Sequence, residues 1–216
     1  MAKKGRIINR EFKTLFFDFD GTLFDTKKLM PYVERREALR WHSLEWFNAQ
    51  KEYVAHIKDC MPYEGWQPVW DFIVENNIQA AIVSGNSRDM INRAVSIFKL
   101  RSIFSKDKYN RIGRNDVKGH NVRKEGKLPL FLHALEQLGE DPTNVIAFGN
   151  NPKDAMAASE AGIKSYHCLW GAGADEKEQM LADTDHQCIS SPLLIIDILR
   201  SEQTSQNQAT KTTNQK

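Results

Sequence analysis

Two carboxylates two residues apart, Asp18 and Asp20, close the apolar run Leu15-Phe16-Phe17 and lead into the turn Gly21-Thr22. Side chains at i and i+2 of an extended chain share a face, so both acids can address one substrate. One carboxylate can attack phosphorus while its neighbour manages protons. An anionic nucleophile facing an anionic phosphate needs its charge offset, which calls for a hard cation with oxygen ligands, Mg2+ being the expected one. Taken alone, the same residues also suit an acidic loop after a buried strand, with no chemistry at all. Three further segments could complete a site: Ser84-Gly85-Asn86, the lysine of Gly126-Lys127-Leu128-Pro129, and Gly149-Asn150-Asn151-Pro152-Lys153-Asp154. Read alone, Ser84 suits a helix cap, and Lys127 could be one surface lysine among many.

The hydropathy pattern says what must deliver these residues. Short apolar runs at 14–17, 79–83 and 145–148 alternate with helical periodicity, and each stops at small or polar residues. Two weaker runs follow at 164–169 and 187–189. Strands alternating with helices predict βαβ units and a parallel sheet. In such a sheet the ligand crevice lies outside the carboxyl ends of the strands. Ile91, Ala94, Val95 and Phe98 recur at helical spacing after Asn86-Ser87, and Phe131, Ala134, Leu135 and Leu138 repeat the pattern before Gly139. Pro152 opens a third helix that Gly162 closes, and 193–199 makes a last, apolar one.

About 60 residues separate the first two strands, too many for a single crossover. Residues 27–60, with Leu39, Trp41, Leu44, Trp46, Phe47, Tyr53 and Ile57, read as an inserted helical module, and 63–77 as the crossover helix itself. Residues 201–216 are polar and rich in Gln, Thr and Asn, so a disordered tail is expected. The chain then divides into a core (1–26 and 61–200), a small helical cap (27–60) and the tail (201–216).

Composition narrows the class. A chain of 216 residues, 41% hydrophobic and 27% charged, supports one globular core and excludes collagen, coiled coil and wholesale disorder. Thirty Lys and Arg against 28 Asp and Glu leave +2, which creates no general pull on polyanions. No apolar run approaches the roughly 18 residues a membrane span needs. Residues 1–13 are basic without an apolar stretch, so no secretory leader is read and a cytoplasmic location is expected. Cys60, Cys168 and Cys188 are too far apart for a disulfide framework or a CxxC clamp and read as small, buried or half-buried thiols. The six histidines are scattered, none at metal-ligand spacing to an acid or Cys, and no zinc site is expected.

Asp18-Phe19-Asp20-Gly21-Thr22-Leu23 resembles the first motif of the haloacid dehalogenase superfamily, a DxDGT followed by a hydrophobic residue after an apolar strand. The resemblance implies a Rossmann-like parallel sheet flanked by helices, with a small helical cap between the first two motifs. It implies that Asp18 forms an aspartyl-phosphate. It assigns Asp20 the protonation of the leaving group and activation of water, with its backbone carbonyl on Mg2+. The second carboxylate sets phosphatases apart from the dehalogenases, which lack it. Ala81-Ile82-Val83-Ser84 is similar to the second motif, in which Ser84 hydrogen-bonds phosphate and the amides of Gly85 and Asn86 add donors. Lys127 stands where the family places its lysine, one residue short of the usual spacing, and Lys124 is the alternative.

The fourth motif departs from the family. Its usual first aspartate is Asn150 here, while Asp154 is kept. An amide oxygen still suits a hard cation but removes one negative charge. The implied metal set is Asp18, Asp20, Asn150 and Asp154.

The function this resemblance implies is a Mg2+-dependent phosphomonoester hydrolase acting on a small molecule. Two rivals stand beside it: a binding or regulatory protein whose catalysis has decayed at Asn150, and a phosphotransferase or mutase on the same scaffold. A small cap leaves an open mouth suited to extended substrates, with Arg35, Arg36, Arg40, Trp41 and His42 as substrate-facing groups or mere coating of a helix pair. Residues 101–127 carry nine Lys or Arg against three acids, which could attract a nucleic-acid end. Aromatics there are sparse, so stacking recognition has little support.

Overall fold

The computed structural model describes residues 13–40, 43–105, 110–119 and 122–213, without the side chains at 123, 124 and from 204 onward. A six-stranded sheet forms the centre: β1 (Thr14–Phe17), β4 (Ala80–Val83), β5 (Arg111–Ile112), β6 (Val145–Gly149), β7 (Lys164–Cys168) and β8 (Gln187–Ile189). Its spatial order is β5-β4-β1-β6-β7-β8, and every pairing is parallel. This is the expected Rossmann-like α/β fold. The Thr-Leu-Phe-Phe run of β1 is buried throughout, as a strand covered on both faces must be.

Helices α3 (Trp66–Glu75), α4 (Arg88–Ile97), α6 (Leu128–Leu138), α7 (Pro152–Glu160), α8 (Ala174–Ala182) and α9 (Leu194–Thr213) flank the sheet, with the short α5 (Val122–Glu125) before α6. Ser87 caps α4 by accepting from Met90 N, Pro152 occupies the first turn of α7, and Gly139 ends α6 in the left-handed region. One face of the sheet carries an aromatic cluster in which Phe17 meets Trp66 edge-on at 5.3 Å and stacks on Phe148 at 5.4 Å. The other face buries Phe16, Val83, Ile112, Leu130, Phe131 and, from α7, Ala157 and Ala158.

Immediately after β1 the chain makes a small antiparallel ribbon, β2 (Phe24–Asp25) with β3 (Met61–Pro62). The residues between those strands form the inserted module, built on α1 (Met30–Glu37) and α2 (Leu44–Ala55). Two-residue strands carry too little periodicity to be seen in the sequence. Neither was α8 expected.

The polar residues from Ser201, expected to be unstructured, continue α9 as far as Thr213. Ile195 and Leu199 seat the start of that helix in the core. Glu202 ties it to Lys164 at 2.6 Å and Lys13 at 3.5 Å. Once a helix is nucleated, each further residue adds one hydrogen bond at little cost. Among the described residues, no helix is long and apolar enough to cross a membrane.

Candidate active site

β1 is the strand at which the sheet order reverses, with β4 on one side and β6 on the other. A parallel sheet opens its crevice at such a switch point. Asp18, Ser84 and Asn150 each follow one of these three strands at the same end. The backbone fixes Asp18 by its N–H, which donates to the Phe148 carbonyl at 2.9 Å.

Lys127, which immediately precedes α6, lies 2.6 Å from Asp18 Oδ1 and 2.8 Å from Asp154 Oδ1. All three side chains are almost wholly buried. Burial pushes the Asp18 carboxyl up to about 7; Lys127 pulls against this, while the Asp154 and Asp20 carboxylates reinforce it. Burial disfavours the Lys127 ammonium as well, but Asp154 and Asp18 outweigh it and hold the amine above its ordinary range. Asp154 approaches because residue 149 is glycine: a Cβ there would stand 2.7 Å from Asp154 Cβ and Oδ2. The other oxygen, Asp154 Oδ2, is buried and has no hydrogen-bond partner.

Asp20 is held differently. Its Oδ2 accepts from Asn86 Nδ2 at 2.6 Å, and the Thr26 side chain also bonds it. Burial raises its carboxyl; the Thr26 bond, Lys127 and the Asn86 bond each moderate that rise. Gly21, at φ +71°, turns the chain away in a conformation that other residues adopt only with strain. A Cβ on Gly21 would also collide with the Asn150 side chain. The Thr22 carbonyl accepts from two indoles, Trp66 Nε1 at 3.2 Å and Trp170 Nε1 at 2.9 Å. Neither tryptophan carried a sequence signal for this role, because both come from distant helix and loop positions.

Ser84 is wholly buried at the end of β4. Its Oγ accepts from the Asn86 N–H at 3.1 Å, a local turn that short polar side chains readily make. That amide serves the loop, and the Asn86 side chain reaches Asp20. Asn150 Oδ1 accepts from Thr22 Oγ1 at 3.1 Å. Its neighbour Asn151 caps α7 and donates to Glu176 Oε1 at 2.8 Å. Asp18, Asp20, Lys127, Asn150 and Asp154 line one cavity of about 650 Å3, together with Glu125, Lys153, Glu160 and Glu176.

Of the two lysines named, Lys127 reaches the acids; the Lys124 side chain lies outside the described residues. Arg35 pairs with Glu52 at 2.8 Å, and the buried Arg36 bonds Gln50 and covers the Tyr53 ring at 4.7 Å. These two arginines hold the module together, while Arg40 is exposed. Trp41 and His42 lie outside the described residues. In the basic stretch, Arg111 bonds Asn92 and the Phe104 carbonyl, and Arg101 bonds Ser96.

Away from the cavity, folding gathers His167, Asp183 and His186, with ligand atoms within 4.8 Å of one another, a grouping not expected from their positions in the chain. Hydrogen bonding accounts for it: Asp183 Oδ2 takes His167 Nε2 at 2.9 Å and His186 Nδ1 at 2.8 Å. A metal on His167 Nε2 would place the proton on Nδ1, which is buried without a partner.

A divalent cation fits the acidic loop better. Two carboxylates, Asp18 and Asp154, meet one ammonium there with Asp20 beside them, and the unpartnered Asp154 Oδ2 is a buried anionic oxygen that needs a partner. Asp18, Asp154, the Asp20 carbonyl and Asn150 are the oxygen donors at hand; Asn150 Oδ1 keeps one lone pair beyond its bond to Thr22.

Comparison with known proteins bears on the family. Residues 31–168 match the family described as haloacid dehalogenase-like hydrolase. The chain is 26% identical to the pyrophosphatase PpaX of Bacillus velezensis, over 72% of this chain and 82% of that one. A haloacid dehalogenase-like hydrolase of Streptococcus pneumoniae superposes with a TM-score of 0.66 at 16% identity, covering 87% of this chain and 98% of its own. A subfamily IA hydrolase of Geobacter sulfurreducens gives 0.63 at 16%, covering 88% and 98%. The fold, the converging acids and a family match across most of the chain together place this protein among the haloacid dehalogenase-like hydrolases.

Proposed function

We propose that this hydrolase is a Mg2+-dependent phosphatase acting through a phosphorylated Asp18. The Lys127 bridge between Asp18 and Asp154, at 2.6 and 2.8 Å, supports this most strongly. It lays an ammonium against the carboxylate at the end of the central strand, opposing the burial that disfavours its charge, with a second carboxylate, Asp20, beside it. When bound, a Mg2+ ion held by Asp18, Asp154, the Asp20 carbonyl and Asn150 supplies charge neutralisation for the carboxylates and the phosphate.

The chain's own residues do the rest. Asp18 Oδ attacks phosphorus, forming the acyl-phosphate bond as the ester oxygen departs. Asp20, protonated at that moment, gives its proton to the departing oxygen; ionised again, it takes a proton from the water that hydrolyses the acyl-phosphate. Lys127 offsets charge on the phosphoryl oxygens. The Ser84 hydroxyl, which accepts from Asn86 N, retains its own hydrogen to donate to a phosphate oxygen, and the Gly85 amide adds a second donor. The module at 27–60 serves as the cap, and the core and the last helix serve as its base.

A small phosphate ester is the substrate class, and the pyrophosphatase relative adds inorganic pyrophosphate as a test compound. The test is phosphate release from a phosphomonoester and pyrophosphate panel with Mg2+ titrated, for wild type and Asp18→Asn. Turnover that needs Mg2+ and vanishes in the variant supports the proposal. Turnover that persists in Asp18→Asn would sink it.

A further inference from the structure

Tyr53 lies on α2 in the inserted module and is 3% exposed. Its hydroxyl donates to Asn86 Oδ1 at 2.9 Å, and Asn86 Nδ2 donates to Asp20 Oδ2 at 2.6 Å. An unbroken chain of two hydrogen bonds therefore runs from the insertion, through the loop after β4, to the second acid of the DxD pair. A carboxamide has one accepting and one donating end, and which end faces Asp20 decides whether the contact attracts or repels. The Tyr53 hydroxyl answers that question from the other side. A phenol donates one hydrogen, so it claims Oδ1 and leaves the NH2 for the carboxylate.

Tyr53 is itself firmly set. The guanidinium of Arg36 on α1 lies 4.7 Å above its ring, and Arg36 is anchored by Gln50 at 2.8 Å. Burial, and secondarily the Asp20 charge, keep the phenol protonated well beyond its ordinary range, while Arg36 and Arg114 pull weakly the other way. The hydroxyl is thus a permanent donor. The backbone end of Asn86 is pinned too, its N–H on Ser84 Oγ at 3.1 Å and its carbonyl accepting from Arg114 N at 2.9 Å.

We infer that Tyr53 is a positioning residue which, through the Asn86 amide, aims the Asp20 carboxyl at the departing oxygen, so that proton transfer is fully assembled only while the inserted module is seated. This rests on the proposed phosphatase reading and adds to it a residue from the insertion. Tyr53 touches no reacting atom; its effect passes through Asn86.

Leaving groups separate this role from a merely structural one. Dinitrophenolate departs without a proton, whereas an alkoxide needs one. Tyr53→Phe should therefore lower kcat/KM about tenfold or more for an alkyl phosphate and less than about threefold for 2,4-dinitrophenyl phosphate, with KM little changed. In an Asn86→Ala background the same substitution should add nothing. A readout independent of turnover is the Asn86 side-chain NH2 in 15N-labelled, metal-free protein. Its two protons should exchange more slowly with water in wild type than in Tyr53→Phe.

Equal losses on both esters, an additive effect in Asn86→Ala, or an unchanged Asn86 amide would overturn the inference while leaving Asp18 chemistry intact. Wild-type turnover that survives Asp18→Asn, or none at all, would overturn the underlying phosphatase reading and this inference with it. If Tyr53→Phe does not fold, Asn86→Ala carries the same leaving-group comparison.

Discussion

Asp18 and Asp20 are two residues apart and face one cavity, yet their surroundings differ in kind. Asp18 is gripped by charge: an ammonium 2.6 Å away, shared with Asp154 and delivered by the core. Asp20 is gripped by neutral donors, an amide at 2.6 Å and the Thr26 side chain, with the amide oriented from the insertion. An ammonium favours one protonation state of its partner and stabilises an anion. Neutral donors leave a carboxyl able to gain and lose a proton without breaking an ion pair. On the proposed phosphatase reading, environment divides this motif into a nucleophile and a proton carrier.

The sharpest way to break that division is to neutralise each acid in turn. Asp18→Asn should abolish phosphate release, because no covalent bond to phosphorus can form. Asp20→Asn should lose on the order of 10^2–10^4-fold with an alkyl ester. It should still release the leaving group of a dinitrophenyl ester as a burst, seen by stopped-flow absorbance. A burst in Asp18→Asn and none in Asp20→Asn would reverse the roles.

Lys127→Met tests the charged half next. The expected loss in steady-state phosphate release is on the order of 10^2–10^3-fold. Removing one partner of a buried ion pair leaves uncompensated charge, commonly at a cost of about 3–5 kcal/mol. Two carboxylates would be stranded here, so a lower urea midpoint without metal should accompany the kinetic loss, and added Mg2+ should recover part of it. A variant of unchanged stability would show that the bridge contributes little.

Asn150→Asp should act more mildly and in the opposite direction on metal. It adds a fourth carboxylate, so the Mg2+ concentration for half-maximal activity should fall about tenfold. The metal-free protein should become less stable at the same time. Thr22 Oγ1 can still donate to the new carboxylate, so the loop keeps its 3.1 Å contact. No change in Mg2+ dependence would place residue 150 outside the metal's reach, as a strut for the Gly21-Thr22 turn.

The charged half of the site was readable in the sequence, and the neutral half was not. DxDGT after an apolar strand, Ser84 after the second strand and Asp154 in the first turn of a proline-initiated helix all follow from local pattern. Lys127, with its unusual spacing, was favoured by standing just before a clear amphipathic helix, with Lys124 left as the alternative. Tyr53 was visible only as one apolar-pattern residue of an insertion, because its contact with Asn86 spans 33 positions and depends on how the module lies on the core. Trp170 and Glu176 were equally silent, each following or beginning an element whose ends carry no motif. The fold was legible for the same reason as the charged half: long apolar strands bounded by polar turns state their period, whereas β2, β3 and β5, at two residues each, cannot. The C-terminal misreading has another cause, since composition was taken for conformation where an anchored helix simply continued.

The smallest expected effect concerns stability, and it sharpens the comparison at Asp18. Its carboxyl rises from 3.8 in the unfolded reference to about 7 in the folded protein, so the folded state keeps a proton that the unfolded chain has released. Over that window the native state binds more protons, and stability must fall as pH rises, levelling off once Asp18 is ionised in both states. Asp20 is raised as well and acts in the same sense. Urea unfolding of metal-free wild type should therefore show a lower midpoint at pH 8 than at pH 5. Asp18→Asn removes the Asp18 part of that slope while Lys127 keeps Asp154 at 2.8 Å, so the inactive variant should be the more stable protein at pH 8 and lose that advantage by pH 5. Parallel pH profiles for the two proteins would mean that the ion pair with Lys127 fully offsets the burial of Asp18, and the charged half of the site would then store no destabilisation for a metal to relieve.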